Sequence, residues 1–70
     1  MILVFMDRNM NTLEILYNPS VVPVVSDLIE VHREGRKTVL EVERREIQYH
    51  HDRNEVDTRI LVVCGVISEG

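Results

Sequence analysis

Apolar and polar residues alternate with a period of two along most of this chain, and the places where the alternation changes parity carry the most information. Met1 to Asp7 (MILVFMD) and Thr12 to Tyr17 (TLEILY) read as two strands. They join around Arg8-Asn9-Met10-Asn11, where asparagines suit the left-handed backbone of a tight turn. Pairing Phe5 with Leu13 and Leu3 with Ile15 places Leu3, Phe5, Leu13, Ile15 and Tyr17 on one face. Ile2, Val4 and Met6 then lie opposite Leu16, Glu14 and Thr12 on the other, so the first strand is apolar on both sides.

Asn18-Pro19-Ser20 breaks the pattern, and Val21 to Val25 follows as an extended connection, since Pro23 has no N–H to give a ladder. Leu28 to Arg33 has two readings. As a strand it pairs with Lys37 to Val42 through a turn at Glu34-Gly35, with Ile29, Val31, Thr38, Leu40 and Val42 inward and Glu30, His32, Lys37 and Glu41 outward. As a short helix near 27–34 it has Ser26 as a cap, acids in the first turn and Gly35 after its end. That helix has only about two turns, too few for its periodicity to decide, and the Val-rich flanks favour extended chain.

From Lys37 onward the inward positions switch from even (Leu40, Val42) to odd (Ile47, Tyr49). One extra residue restores a common face, which predicts a β-bulge between Glu43 and Glu46, at Arg44-Arg45, and a sharp bend there. The chain reverses at Asp52-Arg53-Asn54-Glu55, setting Ile47 opposite Ile60 and Tyr49 opposite Thr58. Ile60, Val62, Cys64 and Val66 are then inward, and Leu61, Val63 and Ile67 outward. The fold expected is a single all-β domain over 1–70, a small five-stranded antiparallel curled sheet or SH3-like barrel, with ββαββ as the alternative if 27–34 is helical.

A chain of 70 residues buries only about 60% of the surface it exposes unfolded, so its core needs support. The single Cys64 excludes an internal disulfide, and no cysteine cluster offers a structural zinc, which leaves self-association. A lone cysteine in an apolar run fits a reducing, cytoplasmic setting. The six apolar residues of the N-terminal run are too few for a membrane span, and no membrane partner is expected.

Twelve acids against eight bases give a net charge of −4. Arg36, Lys37, Arg44 and Arg45 are the group that would meet a polyanion in a nucleic-acid-binding small barrel. The window from 33 to 59 holds as many acids as bases, however, and a mixed field of this kind disfavours nucleic acid. His50, His51 and Asp52 carry ligand-type groups, but neighbouring strand residues point to opposite faces and no third or fourth ligand accompanies them, so no metal or cofactor is expected. Cys64 lacks a neighbouring base, and no phosphate loop or nucleophile elbow occurs, so the chain reads as no enzyme. The surplus of outward apolar residues at Ile2, Val4, Leu61, Val63 and Ile67 points instead to a protein-interaction module that meets a second copy of itself or another protein.

Overall fold

The alternation is realised as five strands: β1 (Ile2–Met6), β2 (Thr12–Tyr17), β3 (Leu28–Arg33), β4 (Arg36–Asp52) and β5 (Glu55–Glu69). The computed structural model describes all of residues 1–70 and contains no helix. The strands form one sheet in the order β2-β1-β5-β4-β3, curled into a half-barrel. Contrary to the antiparallel sheet that the alternation predicts, the strands are not all antiparallel. β5 runs antiparallel to β4 but parallel to β1, so the sheet is mixed. Carrying Ile60 to Cys64 with no polar residue, β5 takes a central place, flanked on both sides, as such a strand needs.

Three register shifts bend the sheet. In β4 the ladder passes from Val42↔Cys64 to Arg44↔Val63, which leaves Glu43 as the extra residue. The bend thus falls one position before Arg44-Arg45. In β5, Ile67 is extra opposite Val39 and Leu40. In β2, Leu13 is extra, between Phe5↔Glu14 and Met6↔Thr12. This third bulge changes the faces expected of β2: Leu3 pairs with Leu16, and Val4 with Ile15, so Ile15 and Tyr17 join Ile2 and Val4. Glu14 and Leu16 turn to the Leu3 and Phe5 side, and Leu13 packs on the core there.

Leu28–Arg33 is a strand paired with Arg36–Glu41, so the helical alternative is not realised. Its physical reason lies at Ser26, whose φ of 78° is left-handed rather than that of a helix cap. Ser26 N–H donates to Val42 O at 2.8 Å and Val42 N–H to Asp27 O at 2.9 Å, extending the β3–β4 ladder. The Asp27 carboxylate accepts from Val24 N–H at 2.8 Å and fixes the bend. At the first hairpin turn Asp7 is the organiser. Its carboxylate accepts from the N–H groups of Asn9 and Asn11, both at 2.9 Å, and Met10, not an asparagine, takes the left-handed conformation.

The concave face holds the core: Leu3, Phe5, Leu40, Val42, Ile60, Val62 and Cys64, ringed by Leu13, Val22, Ile29 and Val31. Residues 18–25 cross this concave side, with Val22 against the core and Pro23 buried. Only nine of 70 residues are buried, a thin core that leaves little stability to spare. The β4–β5 hairpin extends beyond its neighbours, since β1 pairs only with residues 59–63 and β3 only with 36–41. This ribbon gives the molecule extents of 44 × 23 × 20 Å and a radius of gyration of 13.0 Å. A compact chain of this length has about 11 Å.

Candidate interaction surface

Cross-strand partners share a face, so the register defines the convex surface residue by residue. One row runs Tyr17, Ile2, Arg59 and Gln48 across β2, β1, β5 and β4. The next runs Ile15, Val4, Leu61 and Glu46, and a third Thr12, Met6, Val63 and Arg44. The apolar part is therefore contiguous over three strands, with a charged and polar border along β4. Within it Ile2, Val4 and Leu61 are half-buried, whereas Ile15 is 42% and Tyr17 72% exposed.

Val63 ends the apolar part of this surface but is covered, and Ile67 lies beyond it. Val63 is buried at 5% exposure, and the cover comes from the β1–β2 turn. Arg8 of that turn donates from Nε to Glu43 Oε1 at 2.8 Å, and Arg44 reaches Met10 Sδ at 3.8 Å. Both contacts join the turn to β4 and so pass over β5. Gly65 makes room for the first: a Cβ there would stand 3.0 Å from the Glu43 carboxylate and 3.1 Å from the Arg8 guanidinium. The Arg8 hydrogen bonds hold the Glu43 carboxyl below its ordinary value. Ile67 is exposed, but it lies four residues beyond Val63, about 13 Å along the strand, with this ion pair between.

The residues that sequence reasoning missed are Ile15, Leu16 and Tyr17. Leu16 is 41% exposed on the concave side and its two neighbours are exposed on the convex side, so β2 shows apolar surface on both faces. Its backbone is free as well, because β2 is an edge strand. The hidden signal was the bulge at Leu13, which inverts every position after it.

The four basic residues expected to meet a polyanion are not brought together. Arg44 lies on the convex face beside Met10, while Arg45 turns to the concave side and donates from Nη1 to Pro23 O at 3.3 Å. Arg36 and Lys37 are at the far end of β4, on the order of 25 Å from Arg44, and Lys37 pairs with Glu30 at 3.7 Å. Tyr49 is exposed on the concave face of the ribbon, but four residues from Arg45.

His50 and His51 flank different faces of the ribbon, His50 against Asp57 and His51 against Val56, and His32 is on β3 beside Glu30. No group of three or more His, Cys, Asp or Glu side chains is gathered in a way that could hold a metal ion. Cys64 is fully buried, and burial, with Glu43 adding to it, pushes its thiol up. An open cleft of about 340 Å³ lies between the sheet edges, with Leu13, Val31, Leu40 and Val66 beneath and Arg33 and Arg36 at the rim. Arg33 there pairs with Glu14, a single ion pair joining β3 to β2.

Compared with protein-family models, curated proteins and solved structures, the chain matches none. No helix is long and apolar enough to cross a membrane.

Proposed function

We propose that this chain is a non-enzymatic interaction module that associates with a second copy of itself through β2 and the adjoining convex face. The observation that carries the reading is β2: a strand with apolar side chains exposed on both faces and a free backbone edge is built like an interior strand whose neighbour is missing. The thin core supports a second copy as that neighbour. A fold with nine buried residues and no disulfide gains much from a stabilising partner, and the one partner always present is another copy.

The contact surface comprises Ile15, Leu16 and Tyr17, with Ile2, Val4 and Leu61 as its shoulder. The reading includes a reducing, cytoplasmic setting, supported by the lone buried thiol. Light scattering after size exclusion is expected to return a mass of two chains at micromolar concentration, little changed by salt. Tyr17→Glu, at a site exposed enough for the fold to tolerate it, is expected to return one chain. A wild-type protein that stays monomeric at high concentration would overturn the proposal.

A further inference from the structure

Resting on that self-association, we infer that two copies join edge to edge through β2, antiparallel, about a two-fold axis at Leu16. The hydrogen-bond phase between β1 and β2 decides which backbone groups of β2 are free. Asn18 N–H donates to Met1 O at 2.8 Å, so the pair Met1–Asn18 directs its backbone groups at one another. In an antiparallel ladder such pairs alternate, which makes Leu3–Leu16 and Phe5–Glu14 hydrogen-bonded and leaves Ile2–Tyr17 and Val4–Ile15 without mutual bonds. The N–H and C=O groups of Ile15 and Tyr17 therefore point away from β1, to the side of β2 where no strand pairs and where Arg33 reaches over from β3 to Glu14. The Ile15 N–H agrees with this direction, for its partner is its neighbour's carboxylate, Glu14 Oε1, at a long 3.3 Å.

Only one register uses all four of these free groups on each copy. Setting Ile15 of one copy against Tyr17 of the other, and Tyr17 against Ile15, lets both pairs exchange two N–H···O bonds, four in total. Leu16 then faces its own copy across the axis on the concave side. Ile15 and Tyr17 become direct cross-strand neighbours on the convex side, a β-branched and aromatic pairing that sheets favour. Glu14 comes opposite Asn18, so no like charges meet. An axis at Ile15 would instead require Leu13, which is turned into the cleft toward β3. An axis at Tyr17 would require Pro19, which has no N–H.

The arrangement is isologous and closes at two copies along this edge. The other edge, β3, cannot do the same. Apart from Leu28 at its start, its exposed positions carry Glu30, His32 and Arg33, and Glu30 is held by Lys37 and His32.

The test is a cysteine at the axis. Leu16→Cys places two thiols across a non-hydrogen-bonded pair, where Cα atoms are about 4.5 Å apart, within disulfide reach. Mild oxidation is expected to give a covalent dimer at least tenfold faster than Glu30→Cys on β3, with the buried Cys64 of the wild type as the unreactive background. Amide hydrogen exchange of the unmodified protein is the second readout, with Ile15 and Tyr17 N–H groups protected. If the wild type is a dimer, yet the Leu16→Cys variant does not cross-link and both amides exchange freely, the edge register is overturned while self-association stands. A monomeric wild type would overturn both. Loss of β-sheet signal in Leu16→Cys would leave the decision to the exchange of the two amides.

Discussion

The two edges of this sheet are six-residue strands of opposite character. β3 alternates in the ordinary way: Ile29 and Val31 pack toward the core, while on the outward face an exposed Leu28 is followed by Glu30 and His32, and Lys37 of β4 completes a small charged network. β2 has one acid, no base, and exposed apolar side chains on both faces. Charge along an edge is how sheets avoid joining other sheets, so β3 is equipped to remain an edge and β2 is not. A fold that needed both edges solvated would have been easy to encode, since β3 shows the means. Their difference locates the working surface more sharply than the total of exposed apolar residues does. The β4–β5 ribbon also exposes Ile47, Tyr49 and Val56, yet His50, Asp52, Arg53, Glu55 and Asp57 surround them and keep it solvated.

The largest effect should come from the core beneath the two edges, where they are expected to be alike. Leu3 on β1 supports β2, Leu40 on β4 supports β3, and both are at most 1% exposed. Leu3→Ala and Leu40→Ala should each cost about 2–5 kcal/mol in urea denaturation at fixed protein concentration. A marked loss at one and none at the other would mean that the edges differ in their foundations and not only in their surfaces.

Exchanging the character of the edges should have the next largest effect. Ile15→Lys introduces the charge that β2 lacks and should weaken self-association at least tenfold, about 1.4 kcal/mol or more, seen as a shift of the monomer–dimer midpoint in analytical ultracentrifugation. The reciprocal double variant Glu30→Ile with His32→Tyr removes the polar and charged side chains from the middle of β3, leaving Arg33 at its end, and should raise the mass above two chains, since both edges are then open. A dimer midpoint unmoved by Ile15→Lys, together with an unchanged mass for the β3 variant, would show that edge charge does not govern association here.

Acid should act on a different part of the same contrast. Asp7, which organises the turn into β2, has its carboxyl lowered from 3.8, chiefly by the Asn11 N–H. Glu30 on β3 is lowered from 4.5 by its hydrogen bond with His32 and then by Lys37, and Glu43 is lowered from 4.5 by Arg8. Each group binds its proton less readily folded than unfolded, so its contribution is whole above pH 4.5 and lost as the pH falls through the lowered values. The urea midpoint should therefore fall between about pH 5 and pH 3, and fall less in Asp7→Asn. An equal fall in that variant would remove Asp7 from the explanation.

Much of the fold was legible because the alternation is strict where a strand has one buried face. β3 with β4, and β4 with β5 from Ile47↔Ile60 to Tyr49↔Thr58, pair as their patterns require. The bend in β4 was legible as a change of parity, but four charged residues in a row, Glu43 to Glu46, left its position open by one. Gly65, the only residue opposite with room for Glu43 and Arg8, decides it. β2 alternates, with Leu13, Ile15 and Tyr17 apolar, but β1 is apolar on both parities, so the pattern cannot fix the register between them and the bulge at Leu13 left no mark. That is why Ile15 and Tyr17 looked like core; Val63 faces outward as its parity requires, and its burial under the β1–β2 turn has no signature in the alternation. The parallel pairing of β1 with β5 joins segments more than fifty residues apart and has no local signature at all.

The smallest effect tests whether β3 can be improved without touching association. Its turn, Glu34-Gly35, has positive φ at both positions, 54° and 76°, as a two-residue hairpin of the right twist requires. Gly35 adopts this freely, whereas a glutamate in the left-handed region is held against its own side chain's sterics. Asparagine tolerates the region better, so Glu34→Asn should raise stability by about 0.5 kcal/mol. The turn is exposed and lies at the far end of β3 from the Leu28 strand start, so nothing else should change. Thermal unfolding should show a rise of a few degrees with the association midpoint unaltered. If the midpoint moved as well, β3 would belong to the contact and the contrast between the two edges would fail.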